Sequence, residues 1–247
     1  MASSTEPSGD VSMARGPARL FWVICFVLGI GVLGLVGWLA GIAPSQACSG
    51  QETPWTPPFL AFQLARTTND IEAVFGRDGD PCRAGMVAAL DLANKVDLIA
   101  FIGMYSGFLA CFFLALLRSG FTGLARAGLV AAVAACLFDV LETSIQLYIT
   151  SSLPGTVTSL VFLTIGSTGK FLGLTVAAIC AGAAMLARGG ILGRLAGAAC
   201  VAGGLMVVLG LNYSPARPAL RAGIVIAWLV MLLYAAGSAM RRVPSRE

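Results

Sequence analysis

Polar and apolar positions along this chain segregate into long blocks instead of alternating. Residues 1–18 carry Ser, Pro, Gly and Glu with no apolar period, which predicts a disordered tail. Residues 19–43 hold no charge after Arg19, enough helix to cross a hydrocarbon core that takes roughly 20 apolar residues. Further apolar blocks fall at 97–117, 127–150, 156–187, 191–212 and 221–240, for six spans in all, before a short polar tail at 241–247. The block at 156–187 exceeds a simple crossing, so it is expected to tilt or to project into water. The predicted fold is all-α, a polytopic six-helix transmembrane bundle with a small helical extracytoplasmic loop at 44–96.

That loop has its own grammar. Trp55-Thr56-Pro57-Pro58 predicts a rigid, extended start. Phe59, Leu60, Phe62 and Leu64 form an apolar helical face that would lie on the membrane or cap the bundle. Thr67-Thr68-Asn69-Asp70 ahead of Ile71 to Phe75 reads as a helix start, and Gly76 as its stop. Asp80-Pro81 reads as an N-cap with proline at the first helical position, opening a helix that can run unbroken into the second span. Ser45-Gln46-Ala47 before Cys48 has a slight likeness to a signal-peptidase site. The preceding apolar run is longer than the roughly 7–15 residues of a signal core, so a retained first helix is expected.

Composition agrees with a lipid environment. The chain of 247 residues is 57% hydrophobic and 11% charged, where a soluble domain carries about 25% charged residues. Its mean hydropathy is +0.86. The bases set an orientation. Arg15, Arg19, Arg118, Arg126, Arg188, Arg194, Arg241, Arg242 and Arg246 flank one side, against Arg217 and Arg221 in the short loop of the other. Arg66, Arg77, Arg83 and Lys95 fall in the long loop, which counts little. Both termini are therefore expected in the cytoplasm, with the protein in a bacterial inner membrane. The absence of histidine excludes Ser–His and Cys–His nucleophile pairs and His-ligated haem, copper or zinc. No cofactor is expected, and a net charge of +4 without a basic patch gives nucleic acid nothing to bind.

Cysteines divide by topology. Cys48 and Cys82 fall in the outer loop, where a disulfide between them is expected, the alternative being two free thiols. Cys25, Cys111, Cys136, Cys180 and Cys200 fall in apolar spans as packing residues. Glycines Gly34, Gly37 and Gly41 in the first span, and Gly166, Gly169 and Gly173 in the fourth, each share a face and are expected to seat neighbouring helices.

The intramembrane ionisable residues carry the candidate chemistry. A charge in hydrocarbon costs about 2.5–3.5 kcal/mol on insertion scales, so such residues face the interior and find partners. Asp139, Glu142 and Gln146 share one face of the third span, and Ser167 and Lys170 one face of the fourth. Spans joined by a short loop are antiparallel neighbours, so an Asp139–Lys170 ion pair is expected, with Glu142 and Gln146 above it. Asp97 adds a third carboxylate near the outer end of the second span, and Tyr105 lies below it. A retinal Schiff base on Lys170 is set aside because the lysine is on the fourth of six spans. An Asp97–Asp139 protease pair is set aside because the two are expected at different depths.

The succession Phe62-Gln63-Leu64-Ala65, Asp97, Tyr105, Asp139-Val140-Leu141-Glu142 and Lys170-Phe171 resembles a loose family of uncharacterised bacterial multi-pass membrane proteins, over roughly residues 55–175. In that family the residue after the glutamate is usually Asn, where this chain has Thr143. The resemblance implies a fold and a candidate site at Asp97, Tyr105, Asp139, Glu142, Gln146, Ser167 and Lys170, without an activity. The expected function is binding or translocation of a small solute, proton or cation there. The alternative is a non-catalytic structural subunit or assembly factor, partnered by another membrane protein or a second copy. An enzyme ranks third, since it would have to work through carboxylates, Lys170, Tyr105 or a thiolate.

Overall fold

The structure is a computed structural model that describes residues 15–42, 46–48 and 57–240. The expected polar tails, apart from 15–18, and the Trp55-Thr56 start of the loop lie outside the described residues. Among the described residues nine α-helices form and no strand. They are α1 (Arg15–Ile42), α2 (Pro58–Gln63), α3 (Thr68–Phe75), α4 (Arg83–Val96), α5 (Ile102–Arg118), α6 (Thr122–Ser151), α7 (Val157–Ala187), α8 (Ile191–Asn212) and α9 (Arg217–Met240). A π-helical turn at Asp97–Phe101 joins α4 to α5, so Arg83–Arg118 is one 36-residue rod. Six helices are long and apolar enough to cross a membrane, and the chain is an integral, multi-pass membrane protein.

Three of the spanning helices begin earlier than hydropathy places them. The first starts at Arg15 instead of 19, α6 at Thr122 instead of 127, and α9 at Arg217 instead of 221. Arg126 explains the second case: it is exposed in the second turn of α6, where a long basic side chain reaches interfacial water without ending the helix.

The spans pack as a closed ring in the order α1, α5, α6, α7, α8, α9, with α1 touching both α5 and α9. Trp22 of α1 makes the closing contact, edge-on to Phe112 of α5 at 5.3 Å and to Tyr234 of α9 at 5.7 Å between centroids. Outward positions such as Val130, Leu137, Leu195 and Leu233 are exposed and apolar, as a lipid-facing surface requires.

Glycine sets how closely the ring closes. A Cβ on Gly166 would stand 2.9 Å from the Glu142 backbone, and one on Gly173 would stand 2.9 Å from the Ala131 carbonyl, so α6 and α7 touch backbone to backbone. Gly203 and Gly223 do the same between α8 and α9, and Gly169 seats the Phe138 ring. The first-span stripe is different. Nothing lies within 4 Å of a Cβ on Gly34, Gly37 or Gly41, because α1 beyond Val32 stands away from the ring. These three seat no helix among the described residues.

The loop folds into a cap over one end of the ring. Thr67 accepts from the Asp70 amide, while the Asp70 carboxylate accepts from the Arg66 and Thr67 amides at 2.9 and 2.8 Å. This capping box starts α3, and Gly76, at φ 76°, stops it. Burial alone would push the Asp70 carboxyl up, but these hydrogen bonds and the charge of Arg217 hold it below its usual value. The Asp80 carboxylate accepts from the Cys82 amide at 2.9 Å, forming the turn that leads into α4. Cys48 and Cys82 are joined in a disulfide, and the Cys48 amide donates to the Val74 carbonyl at 3.0 Å. Leu60 and Leu64 sit on Phe171, Val207 and Leu220, whereas Phe62 enters a cluster with Ile71, Phe75, Leu90, Ile149 and Leu163. The apolar face of α2 thus caps the bundle and does not lie on the membrane.

The two glycine stripes should respond oppositely to one methyl group. Gly166→Ala should destabilise by about 1–3 kcal/mol, the range for overpacking. Gly37→Ala should be neutral or stabilising by up to about 1 kcal/mol, from helix propensity alone. Unfolding of both variants in one detergent measures this, and equal effects would contradict the packing described.

Candidate functional site

The close approach of α6 and α7 at Gly166 determines what Lys170 can reach. One turn along α7, its Nζ lies 3.0 Å from Asp139 Oδ1 and 2.7 Å from Glu142 Oε2. The two acids stand one turn apart on α6, so a single ammonium faces both. All three side chains are 7% exposed or less. Lys170 Nζ also lies 5.0 Å from the centre of the Phe171 ring, within cation–π range. Gln146 donates to Glu142 Oε1 at 3.3 Å, behind the pair. The expected Asp139–Lys170 pair is present, but Glu142 shares the lysine instead of standing above it.

Asp97 occupies the π turn, in which the Ile102 amide bonds back to the Asp97 carbonyl, five residues earlier. Such turns put one extra residue into a helix and are frequent at functional sites. Asp97 is 4% exposed, and its Oδ2 accepts from the Thr143 hydroxyl at 2.8 Å. It has no ion pair among the described residues. Asp97 and Asp139 line one cavity. They still do not form a shared-proton dyad in this arrangement, as Asp139 faces Lys170 and Asp97 faces Thr143.

That cavity, about 210 Å³, lies inside the ring beneath the cap. Asp97, Phe101 and Tyr105 come from the second span, Asp139 from α6, Lys170 and Phe171 from α7, Val207 from α8, and Trp228 and Met231 from α9. Phe59 and Gln63 of α2 form its ceiling. The Tyr105 side chain is 3% exposed, and its hydroxyl approaches Asp139 without completing a well-aligned hydrogen bond. The indole Nε1 of Trp228 is also buried without a partner. Arg66 stands half-buried on the cap, donating to the Gln63 and Ala65 carbonyls at 3.3 and 3.0 Å. Burial lowers its guanidinium from the usual value, and the charge of Glu142 opposes that shift.

Of the residues the sequence singled out, Asp97, Tyr105, Asp139 and Lys170 face the cavity, while Glu142 and Gln146 form its charged backing. Ser167 is buried but is turned onto its own helix, donating to the Thr164 carbonyl at 3.4 Å, and it does not line the cavity. Thr143, Gln63, Phe59, Phe101 and Trp228 were not among the candidates. Thr143 was readable, because it follows Asp139 by four residues and shares its stripe. The aromatic residues gave no signal in spans already rich in them. The chain matches no family model, no curated protein and no solved structure.

Three carboxylates facing one ammonium leave two negative charges in excess when all are ionised. Removing the ammonium should therefore cost more than removing an acid. Lys170→Met is expected to destabilise by about 3–5 kcal/mol, the cost of stranding a buried charge. Adding Asp139→Asn and Glu142→Gln should restore most of that loss. Unfolding of the single and triple variants measures this, and additive losses would contradict the shared ion pair.

Proposed function

We propose that the protein binds a small solute or cation in this cavity and passes it across the membrane, exchanging it for a proton at Asp97. One observation carries the reading: a buried cluster with more carboxylates than ammonium groups opens onto a ligand-sized cavity in a lipid-embedded ring. Two uncompensated charges are not tolerated at low dielectric, so the cluster holds a proton or a cation. Asp139 and Glu142 share Lys170. A proton on Asp97, which has no ion pair among the described residues, removes one of the two excess charges, so Asp97 is the exchanging group in this reading. Tyr105, Cys136 and the cap residue Arg66 are the other titratable groups about the cluster among the described residues. The bias of the basic residues supports a cap on the outer side and both termini in the cytoplasm. Movement of the α2 ceiling would then admit ligand from the outer side.

A second reading, a subunit of a larger membrane complex, is favoured by α1 alone. Gly34, Gly37 and Gly41 lie on a half-helix that no described residue covers within 4 Å of a Cβ there. Co-purification of a stoichiometric partner in mild detergent would favour it.

Asp97→Asn tests the first reading. Wild-type stability should fall as pH rises from mildly acidic to mildly alkaline, since the excess charge then develops. Asp97→Asn should fold and lose most of that dependence. Superimposable pH–stability curves for the two proteins would contradict the exchange role.

A further inference from the structure

Resting on the reading above, we infer that the cavity takes a small organic ammonium ion with an aromatic or apolar body, and that Asp97 is its counter-ion. An apolar cavity of about 150 Å³ holds benzene, so about 210 Å³ suits one ring with a short chain. The rings of Phe59, Phe101, Tyr105 and Trp228 line the same cavity as Asp97. Aromatic faces beside a carboxylate are the surroundings that stabilise an organic ammonium, through cation–π attraction and a charge-assisted hydrogen bond.

Other ligand classes fit less well. A bare metal cation needs about six oxygen ligands to replace its water, and mostly apolar walls do not supply them. An anion would meet Asp97 without gaining Lys170, whose Nζ is already held by Asp139 and Glu142. A neutral apolar ligand would leave Asp97 with the Thr143 hydroxyl alone. The buried Tyr105 hydroxyl is a second pointer: it is 3% exposed, lines the cavity and, though it approaches Asp139, completes no well-aligned hydrogen bond among the described residues. It is placed to accept from an ammonium or to donate to a polar group on the ligand. The π turn positions the counter-ion, carrying Asp97 into the cavity wall four residues before Phe101.

The test uses the purified full-length protein in lipid nanodiscs and three probes with the same ring and closely similar size: phenethylammonium, phenethyl alcohol and phenylacetate. Binding is read by calorimetry and by tryptophan fluorescence, with Trp228→Phe identifying the signal from the cavity. Phenethylammonium should bind roughly tenfold or more tightly than the alcohol, as expected for a charge-assisted bond, and phenylacetate should not bind. Asp97→Asn should bring the ammonium and the alcohol to equal affinity. Equal affinities in the wild type, preference for phenylacetate, or no saturable ammonium binding would each overturn the inference. The wild-type ranking decides this even if Asp97→Asn does not fold. If the ranking fails while wild-type stability keeps its Asp97-dependent response to pH, only the ligand class is wrong. If that response is also absent, the proposed function falls with it.

Discussion

One lysine holds the interior of this bundle together. Lys170 meets Asp139 at 3.0 Å and Glu142 at 2.7 Å, with all three side chains 7% exposed or less. A buried charge of either sign is costly alone, so each of the three depends on the others. The dependence extends to the backbone. Lys170 reaches both acids only because Gly166 lets α7 rest against the main chain of α6 at Glu142. A side chain at Gly166 would push the helices apart and lengthen both ion-pair distances together. The electrostatics of the site and the packing of the ring are therefore one constraint.

That arrangement assigns different tasks to the acids. Two are occupied, and the third, Asp97, sits in a π turn with a hydroxyl for a partner. The cap completes the enclosure. Its capping box, disulfide and apolar underside hold Phe59 and Gln63 over the cavity. The result is a chamber with a fixed charged floor on α6 and α7, an aromatic wall, and a lid built from a separate piece of chain.

Much of this was legible in the sequence, for physical reasons. Six spans follow from length and hydropathy, since the bilayer demands about 20 apolar residues per crossing. The Asp139–Lys170 pair follows from helical spacing and a short connection, and Thr67-Thr68-Asn69-Asp70 announced its capping box. What escaped depended on three-dimensional packing. The role of Glu142 as a second partner required the interhelical distance at Gly166, which no periodicity encodes. The placing of Asp97 in the wall of the same cavity as Asp139 depended on a π turn, which helical periodicity does not announce. The α1 glycines looked like the α7 glycines, yet one stripe meets open space and the other meets a backbone. Spacing identifies a face, and the rest of the chain decides what that face touches.

The most direct test of the account is where the exchangeable proton resides. Infrared difference spectroscopy of the purified protein, stepped between mildly acidic and mildly alkaline pH, resolves the carbonyl stretch of a protonated carboxylic acid from carboxylate bands. The account predicts one such buried carboxylic-acid band in the wild type, absent from Asp97→Asn and retained in Asp139→Asn. A band that persists in Asp97→Asn and vanishes in Glu142→Gln or Asp139→Asn would place the proton on the lysine-bound acids and contradict the account.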